Sequence, residues 1–149
     1  MKKLFSLFTL ALVLVFSSCI EQNYPLWKGA LVEFQDAVVR TPVTGQKYPR
    51  ITVNNSVGTI SLQVNLVGAQ RSSDEIIAYS IVQEGTTAVS GTDFTTSGNV
   101  TINVVDTGRI GGFVDLLLQL DGNANIGSSQ NYNQVQIRIN RPAPPAEGA

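Results

Sequence analysis

Few side chains in this sequence are able to do chemistry. The 149 residues include no histidine and a single cysteine, Cys19. Without histidine, the chain lacks the usual general base near neutral pH and the commonest zinc ligand. Paired acids such as Glu84 and Asp93 would suit glycoside hydrolysis, but the chain has no G-x-S-x-G motif and no glycine-rich phosphate loop. We therefore predict that it is not an enzyme and uses no cofactor.

The charge distribution argues against nucleic-acid binding. Apart from the lysines at positions 2 and 3, the sequence has no cluster of Lys or Arg, and the rest of the chain carries eight basic and eleven acidic residues. Proteins bind phosphate backbones through basic surfaces. The single cysteine cannot form an internal disulfide, so we expect the hydrophobic core to stabilise the domain.

Cys19 ends a segment that has the layout of a secretory signal. The stretch MKKLFSLFTLALVLVFSSC begins with two lysines, continues with an apolar run over residues 4–16 and ends with small residues. The apolar run is shorter than the roughly 20 residues that span a bilayer. Ser17-Ser18-Cys19 resembles a bacterial lipobox, although Phe16 stands where leucine is usual. The resemblance implies that Cys19 becomes the acylated N-terminus; the alternative is an ordinary signal peptide with an incidental cysteine.

The lipobox predicts how the N-terminal region is organised. Residues 1–18 would be a lipoprotein signal peptide, and residues 19–28 a tether between the lipid and the domain. By resemblance, Ile20 after Cys19 lacks the aspartate linked to inner-membrane retention, so we expect an exported protein anchored in the outer membrane. Tyr24 and Trp27 lie in the tether, where they would sit at the headgroup interface, contact a ligand or pack on the domain.

From Gly29 onward the apolar residues alternate with polar ones, which is typical of half-buried β-strands. The clearest run is Thr59 to Leu66, with Ile60, Leu62, Val64 and Leu66 on one face. Further runs with this period contain Val32 and Phe34; residues 48–53; Ile77, Tyr79 and Ile81; Val100, Ile102 and Val104; Val114, Leu116, Leu118 and Leu120; and Val135, Ile137 and Ile139. The strand at residues 76–82 is apolar on both sides, so we expect it to be covered on both faces.

This pattern predicts an all-β fold, an antiparallel two-sheet sandwich of the immunoglobulin-like type with about seven strands. Turn-forming residues separate the strands, and no window of useful length has helical periodicity. We place the sandwich domain at residues 29–140. The proline-rich end, residues 141–149, cannot continue a β-ladder, and we predict a disordered tail there.

The stretch Tyr79 to Ile102, YSIVQEGTTAVSGTDFTTSGNVTI, raises the question of whether its middle is a mobile loop, a metal site or an ordered corner. Gly85, Gly91 and Gly98 each permit a positive φ without a Cβ penalty. Asp93 can accept hydrogen bonds from nearby backbone amides, and Phe94 is a large apolar group among polar neighbours. These features favour an ordered corner in which the glycines and Asp93 shape the turns and Phe94 enters the core.

At these residues the chain resembles a Calx-β domain. The matching segments are Tyr79, Gly85-Thr86-Thr87-Ala88, Gly91-Thr92-Asp93-Phe94 and Ser97-Gly98-Asn99-Val100-Thr101-Ile102. Asn131-Tyr132 before the final Val/Ile strand, together with the lipoprotein signal, resembles surface lipoproteins of Bacteroidetes. Calcium-binding members carry clustered acids, and the corresponding positions here offer only Glu84, Asp106 and Asp121. Calcium needs six to eight oxygen ligands, so we do not expect a metal site; a calcium site at these three residues is the alternative.

A small, rigid domain at a membrane suits binding, because such domains act through their loops and sheet edges. The candidate ligand contacts are Arg71 in the loop at residues 67–75, Asn123 and Asn125 in the loop at residues 121–131, and the two tether aromatics. Amide side chains suit hydrogen bonds to glycans or to protein backbone, and they equally suit plain solubility. We expect a binding, adhesion or accessory scaffold module whose partner is the membrane and a surface protein or glycan. The alternatives are a calcium-dependent adhesion domain and a purely structural lipoprotein.

Overall fold

The structure is a computed structural model, and it describes residues 29–69, 71–98 and 100–143. These residues form ten strands, one short helix and one 3-10 turn. In chain order they are β1 (Ala30–Phe34), α1 (Gln35–Val39), β2 (Arg50–Asn54), the 3-10 turn (Asn55–Val57), β3 (Thr59–Ser61), β4 (Val64–Gly68), β5 (Ala78–Ile81), β6 (Phe94–Ser97), β7 (Thr101–Val104), β8 (Phe113–Gly122), β9 (Gly127–Ser128) and β10 (Gln134–Asn140). The all-β prediction is confirmed. Among the described residues, no helix has the length and apolar character needed to cross a bilayer.

The strands form three hydrogen-bonded sheets. Their orders are β4-β1-β9, β2-β10-β8-β5 and β3-β7-β6. β1 pairs with β9 in parallel, as β10 does with β2, and the other neighbours are antiparallel. Two of the three sheets are therefore mixed rather than purely antiparallel as predicted, because β1 and β2 each add a parallel neighbour to one of them.

The predicted strand from Thr59 to Leu66 is divided into β3 and β4 around Leu62. The N–H of Leu62 donates to the carbonyl of Val100 at 3.0 Å, on the side of β7, while the carbonyl of Gln63 accepts from the N–H of Gln35 at 3.0 Å, on the side of β1. Successive peptide groups of an extended chain point to opposite edges. Therefore β7 and β1 flank opposite edges of one extended stretch, and that stretch links two of the three sheets.

One hydrophobic core lies between the four-stranded sheet and the other two. The predicted inward rows of β8 and β10 are buried, as are Val32 and Phe34 of β1, Phe94 of β6, and Ile102 and Val104 of β7. Burying each such side chain fully contributes about 1.5–3 kcal/mol. The arrangement is sandwich-like, and the period of two in the sequence correctly predicts the inward rows of β8 and β10.

The strand at residues 76–82 was expected to be covered on both faces, and this prediction was wrong. The strand that is covered on both faces near its centre is β8. In β5 Ala78 and Ser80 are exposed, and Ile76 just before it is 90% exposed. On β8, by contrast, the outward-facing Leu117 is only 2% exposed. The reason is position in the sheet: β5 is an edge strand, whereas β8 is central and Gly85 lies against Leu117.

The C-terminal boundary of the domain falls beyond the predicted residue 140. Arg141 donates its N–H to the carbonyl of Gly112 at 3.1 Å, and its carbonyl accepts from Gly111 at 2.6 Å. Arg141 is therefore part of the folded domain, not of a tail. Residues 144–149 lie outside the described residues, as do the predicted signal peptide and the predicted tether with Cys19, Tyr24 and Trp27.

Candidate functional site

The corner between β5 and β6 is ordered because two threonines complete the ladder of β8. Beyond β5, the N–H of Val82 still donates to the carbonyl of Leu117. The chain then turns away, and the hydroxyl of Thr86 accepts the N–H of Leu117 at 3.0 Å while that of Thr87 accepts the N–H of Asp115 at 2.9 Å. Side-chain oxygens thus take the place of strand carbonyls, which leaves these backbone donors satisfied.

The predicted turn residues of this corner differ in backbone conformation. Gly85 and Gly91 adopt φ values of 98° and 80°. Asp93 accepts the N–H of Val89 through Oδ2 at 2.9 Å, as expected of a turn anchor. Gly98, however, does not have a positive φ. Gly98 lies in the turn from β6 to β7, which therefore uses no left-handed backbone at that residue.

Arg141 is a partner of Asp93 that was not predicted from the sequence. Its guanidinium Nη2 lies 2.5 Å from Oδ1 of Asp93. The residue Asp93 is only 4% exposed. The two residues are 48 positions apart, so no local spacing in the sequence connects them. The carboxylate is fully engaged by a backbone amide and a cation, which makes it a structural residue of the corner and not a candidate catalytic acid.

A second ion pair cross-links β8 and β10 on the outer face of the four-stranded sheet. Arg138 donates through Nε and Nη2 to the two carboxylate oxygens of Asp115, both at 2.8 Å, and lies 3.5 Å from the ring centroid of Phe113. The hydrogen bond that Arg138 donates to Asp115, assisted by the charge of that carboxylate, raises the pKa of Arg138 above its ordinary value, although burial opposes this. The pair is bidentate and stacked, a geometry that suits arginine and holds the sheet together.

The structure does not bring the alternative calcium ligands together. Asp106 accepts hydrogen bonds from Asn55 and from the N–H of Gly108, whereas Asp121 accepts from Ser80 and Gln119. Glu84 is exposed in the turn after β5. Within residues 29–69, 71–98 and 100–143, no three acidic or other metal-binding side chains converge on one point. Each carboxylate therefore has its own separate environment.

The two loops that were predicted to contact a ligand do meet. Arg71, in the loop after β4, donates through Nη2 to the carbonyl of Asn125 at 3.2 Å. Asn123 accepts the N–H groups of Asn125 and Ile126, both at 2.8 Å, and its amide donates to Glu75 and to the carbonyl of Ile76. Asn123 thus fixes the two loops to each other, while Arg71 and Asn125 form the exposed part of their junction.

An open groove of about 430 Å³ lies beside this junction. We call it the β4 groove; apolar side chains line it together with a polar rim. The apolar residues are Val32, Val64, Leu66, Ile77 and Ile126, and the rim residues are Asn65, Arg71, Ser73, Asp74 and Glu75. This combination of an apolar floor with a few polar groups is typical of binding sites.

The apolar floor of this groove was not predicted from the sequence. Ile126 is only 1% exposed although it lies in a loop of Asn, Gly and Ser residues. A lone isoleucine in a polar loop was the available signal, because such a side chain must find an apolar environment. Ile77 was assigned to a strand and not to a site, since the sequence does not show that the strand lies at a sheet edge.

The side chains that line the groove determine what it can offer a ligand. Its rim holds carboxylates, an amide, a hydroxyl and one guanidinium, and no nucleophile with an activating base is found among the described residues that line it. What it offers a ligand is apolar contact area with hydrogen-bonding groups around it. Comparison with protein-family models gives no match for this chain, and comparison with curated proteins gives no significant match.

Proposed function

We propose that this protein is an exported, lipid-anchored binding module of the cell envelope that engages its partner through the β4 groove. The observation that carries the proposal is the convergence of the two predicted contact loops, Arg71 on Asn125, at the rim of an open apolar groove. The loops are held by side-chain hydrogen bonds to Asn123, so the rim is preformed. A preformed rim reduces the entropy lost on binding.

The strand order supports an immunoglobulin-like sandwich of the Calx-β type. If β3 and β4 count as one strand, β1 and β2 count as two halves of a first strand that changes sheets, and the two-residue β9 is set aside, seven principal strands remain in two layers. The parallel pairing of β2 with β10 fits such a divided first strand. The ordered corner with Gly85, Gly91 and Asp93 adds the local features on which the resemblance rests.

The position of the tether supports a partner that lies at the same membrane. Gly29 follows the ten-residue tether, and the next residue, Ala30, pairs with Gly68 at the end of β4. The rim loop starts there. Ten extended residues reach about 33–36 Å, so acylated Cys19 would hold the β4 groove within that distance of the lipid. A membrane-bound surface protein, or a glycan that it carries, is then the natural partner.

Two experiments test the proposal. Cys19→Ser should move the protein from the membrane to the soluble fraction, because acyl anchoring depends on the thiol. Affinity capture from detergent-solubilised membranes should recover a partner with the wild type and with Arg109→Glu, an exposed control, but not with Arg71→Glu. Recovery of the protein alone, combined with no signal on a glycan array, would contradict the binding role.

A further inference from the structure

One edge of β4 has no backbone partner among the described residues. In the pairing with β1, the residues that exchange hydrogen bonds are Gln63, Asn65 and Val67, as the bond from Gln35 to Gln63 shows. The N–H and C=O groups of Val64 and Leu66 therefore point the other way, toward the side that β7 occupies next to β3. β7 begins at Thr101, opposite Ser61, so it does not extend far enough to cover them.

The inward face of the sandwich is uncovered at the same place. Leu66 is opposite Val32 in the ladder, and side chains opposite each other lie on the same face. Val32 is buried, yet Leu66 is 39% exposed. Leu66 lines the β4 groove and, beside it, a second cavity of about 480 Å³ is lined by Leu62, Val64, Ile76, Ile77 and Val100. Apolar side chains that face the core are thus reachable from outside.

The charges at this opening are mainly acidic. Asp74 and Glu75 stand at the rim with one cation, Arg71, whose guanidinium already donates to the carbonyl of Asn125. Asp74 has no cationic partner within the part of the chain that the structure describes. A ligand with a positive charge near this point would therefore be favoured over one with a negative charge.

We propose that an extended segment of a partner polypeptide adds to the edge of β4, in line with β7 and antiparallel to β4. Its backbone pairs with the outward groups of Val64 and Leu66, alternate apolar side chains fill the β4 groove, and a Lys or Arg lies beside Asp74. Only another extended polypeptide presents N–H and C=O groups at the spacing needed to pair with the unpaired groups of β4. Pockets for its alternate side chains make the binding selective for sequence. The inference rests on the proposed function and names the chemistry of its partner.

A second copy of this chain fits the edge less well than a foreign segment. Two β4 edges that pair about Leu66 would bring both acidic rims together, each with Asp74 and Glu75. Like charges at that distance disfavour the pairing. Self-association through β4 is therefore an outcome that would contradict the proposal, and it is measured in the same experiment.

The test uses the full chain in detergent and three fluorescein-labelled heptapeptides. KVTVTVK has alternate valines and lysine ends, KVTPTVK interrupts the strand with proline, and EVTVTVE reverses the charge. Fluorescence polarisation should show saturable binding of KVTVTVK, about tenfold weaker binding of EVTVTVE and none of KVTPTVK. No saturation with KVTVTVK at about 1 mM would overturn the proposal.

Two variants locate the binding on the β4 edge. Leu66→Pro removes an outward N–H but no bond of the β1 ladder, a placement at which edge strands tolerate proline; it should weaken KVTVTVK about tenfold. Asp74→Lys alters only an exposed carboxylate, and it should make EVTVTVE the preferred peptide even if Leu66→Pro fails to fold. Strand addition by a partner would be contradicted if both variants bound the peptides with wild-type affinity. It would also be contradicted if the wild type self-associated and Leu66→Pro abolished that self-association. If the Arg71-dependent capture persists without peptide binding, only this inference is wrong.

Discussion

Asp93 and Arg141 form an ion pair of 2.5 Å that joins the corner before β6 to the residue after β10. Both side chains are largely buried, with exposed fractions of 5% and 12%. Asp93 also accepts the N–H of Val89, so one carboxylate closes the turn and fastens the C-terminal end of the domain. The corner therefore depends on a residue that follows the last strand.

Replacing Asp93 should destabilise the protein strongly. Asp93→Ala leaves the guanidinium of Arg141 buried without a counter-charge, which costs about 3–5 kcal/mol. Urea unfolding measures the free energy of unfolding. The matched control is Asp36→Ala, which breaks an ion pair with Arg40 whose arginine is 51% exposed and should cost under about 1 kcal/mol. Equal losses of unfolding free energy in the two variants would show that burial does not determine how much the Asp93–Arg141 ion pair stabilises the protein.

The two threonine hydroxyls that complete the ladder of β8 give a second prediction. Thr86→Val keeps the shape of the side chain but leaves the N–H of Leu117 without its acceptor, at a cost of about 1–3 kcal/mol. Thr92→Val is the control, because Thr92 is exposed in the neighbouring turn. We expect thermal unfolding to show a clear loss for Thr86→Val and almost none for Thr92→Val. A similar melting temperature for both would mean that water replaces the hydroxyl.

The alternation of apolar residues predicted most strands and the core, because the side-chain period of a strand is a local property. It correctly placed Leu116 and Ile137 inside. It did not predict which strands are central, because pairing between distant segments decides that. The exposed Ile76 and the buried Leu117 were therefore misjudged. The division of the strand after Ser61 reflects where β7 begins, because Thr101 is opposite Ser61.

The sequence predicted part of the candidate site. Loop composition selected Arg71, Asn123 and Asn125, and the structure places all three at one junction. The apolar floor was missed, since Leu66 was expected to be covered like the other inward residues of its strand. Leu66 is left uncovered because β7 begins opposite Ser61 and does not reach it. The position at which a distant strand begins cannot be read from a local pattern.

Calcium should have no effect on the stability of this protein. A calcium ion needs six to eight oxygens, and Glu84, Asp106 and Asp121 have separate environments, with Asp106 bound to Asn55 and Asp121 to Ser80. Melting temperatures measured with excess calcium and with a chelator should agree. A ligand at about 100 times its dissociation constant would add about 2.7 kcal/mol, so a reproducible rise with calcium but not with magnesium would restore the calcium-dependent alternative.

Asn123 and Asn125 belong to the same polar loop, yet we expect opposite consequences from their replacement. The side chain of Asn123 bonds two N–H groups of its own loop, the carboxylate of Glu75 and the carbonyl of Ile76. Asn125 contributes only backbone groups to the junction. Asn123→Ala should lower the free energy of unfolding by about 1–3 kcal/mol, whereas Asn125→Ala should leave it nearly unchanged.

Hydrogen exchange separates a local from a global effect of Asn123→Ala. If Asn123 holds the rim loop against the loop at residues 121–131, its loss should accelerate exchange at the Asn125 and Ile126 amides more than at Ile137 in the centre of β10, because the rim opens without unfolding the sheet. Asn125→Ala should leave these rates as they are. Uniform acceleration across β10 and both loops would show that Asn123 stabilises the whole domain and does not specifically preform the rim of the β4 groove.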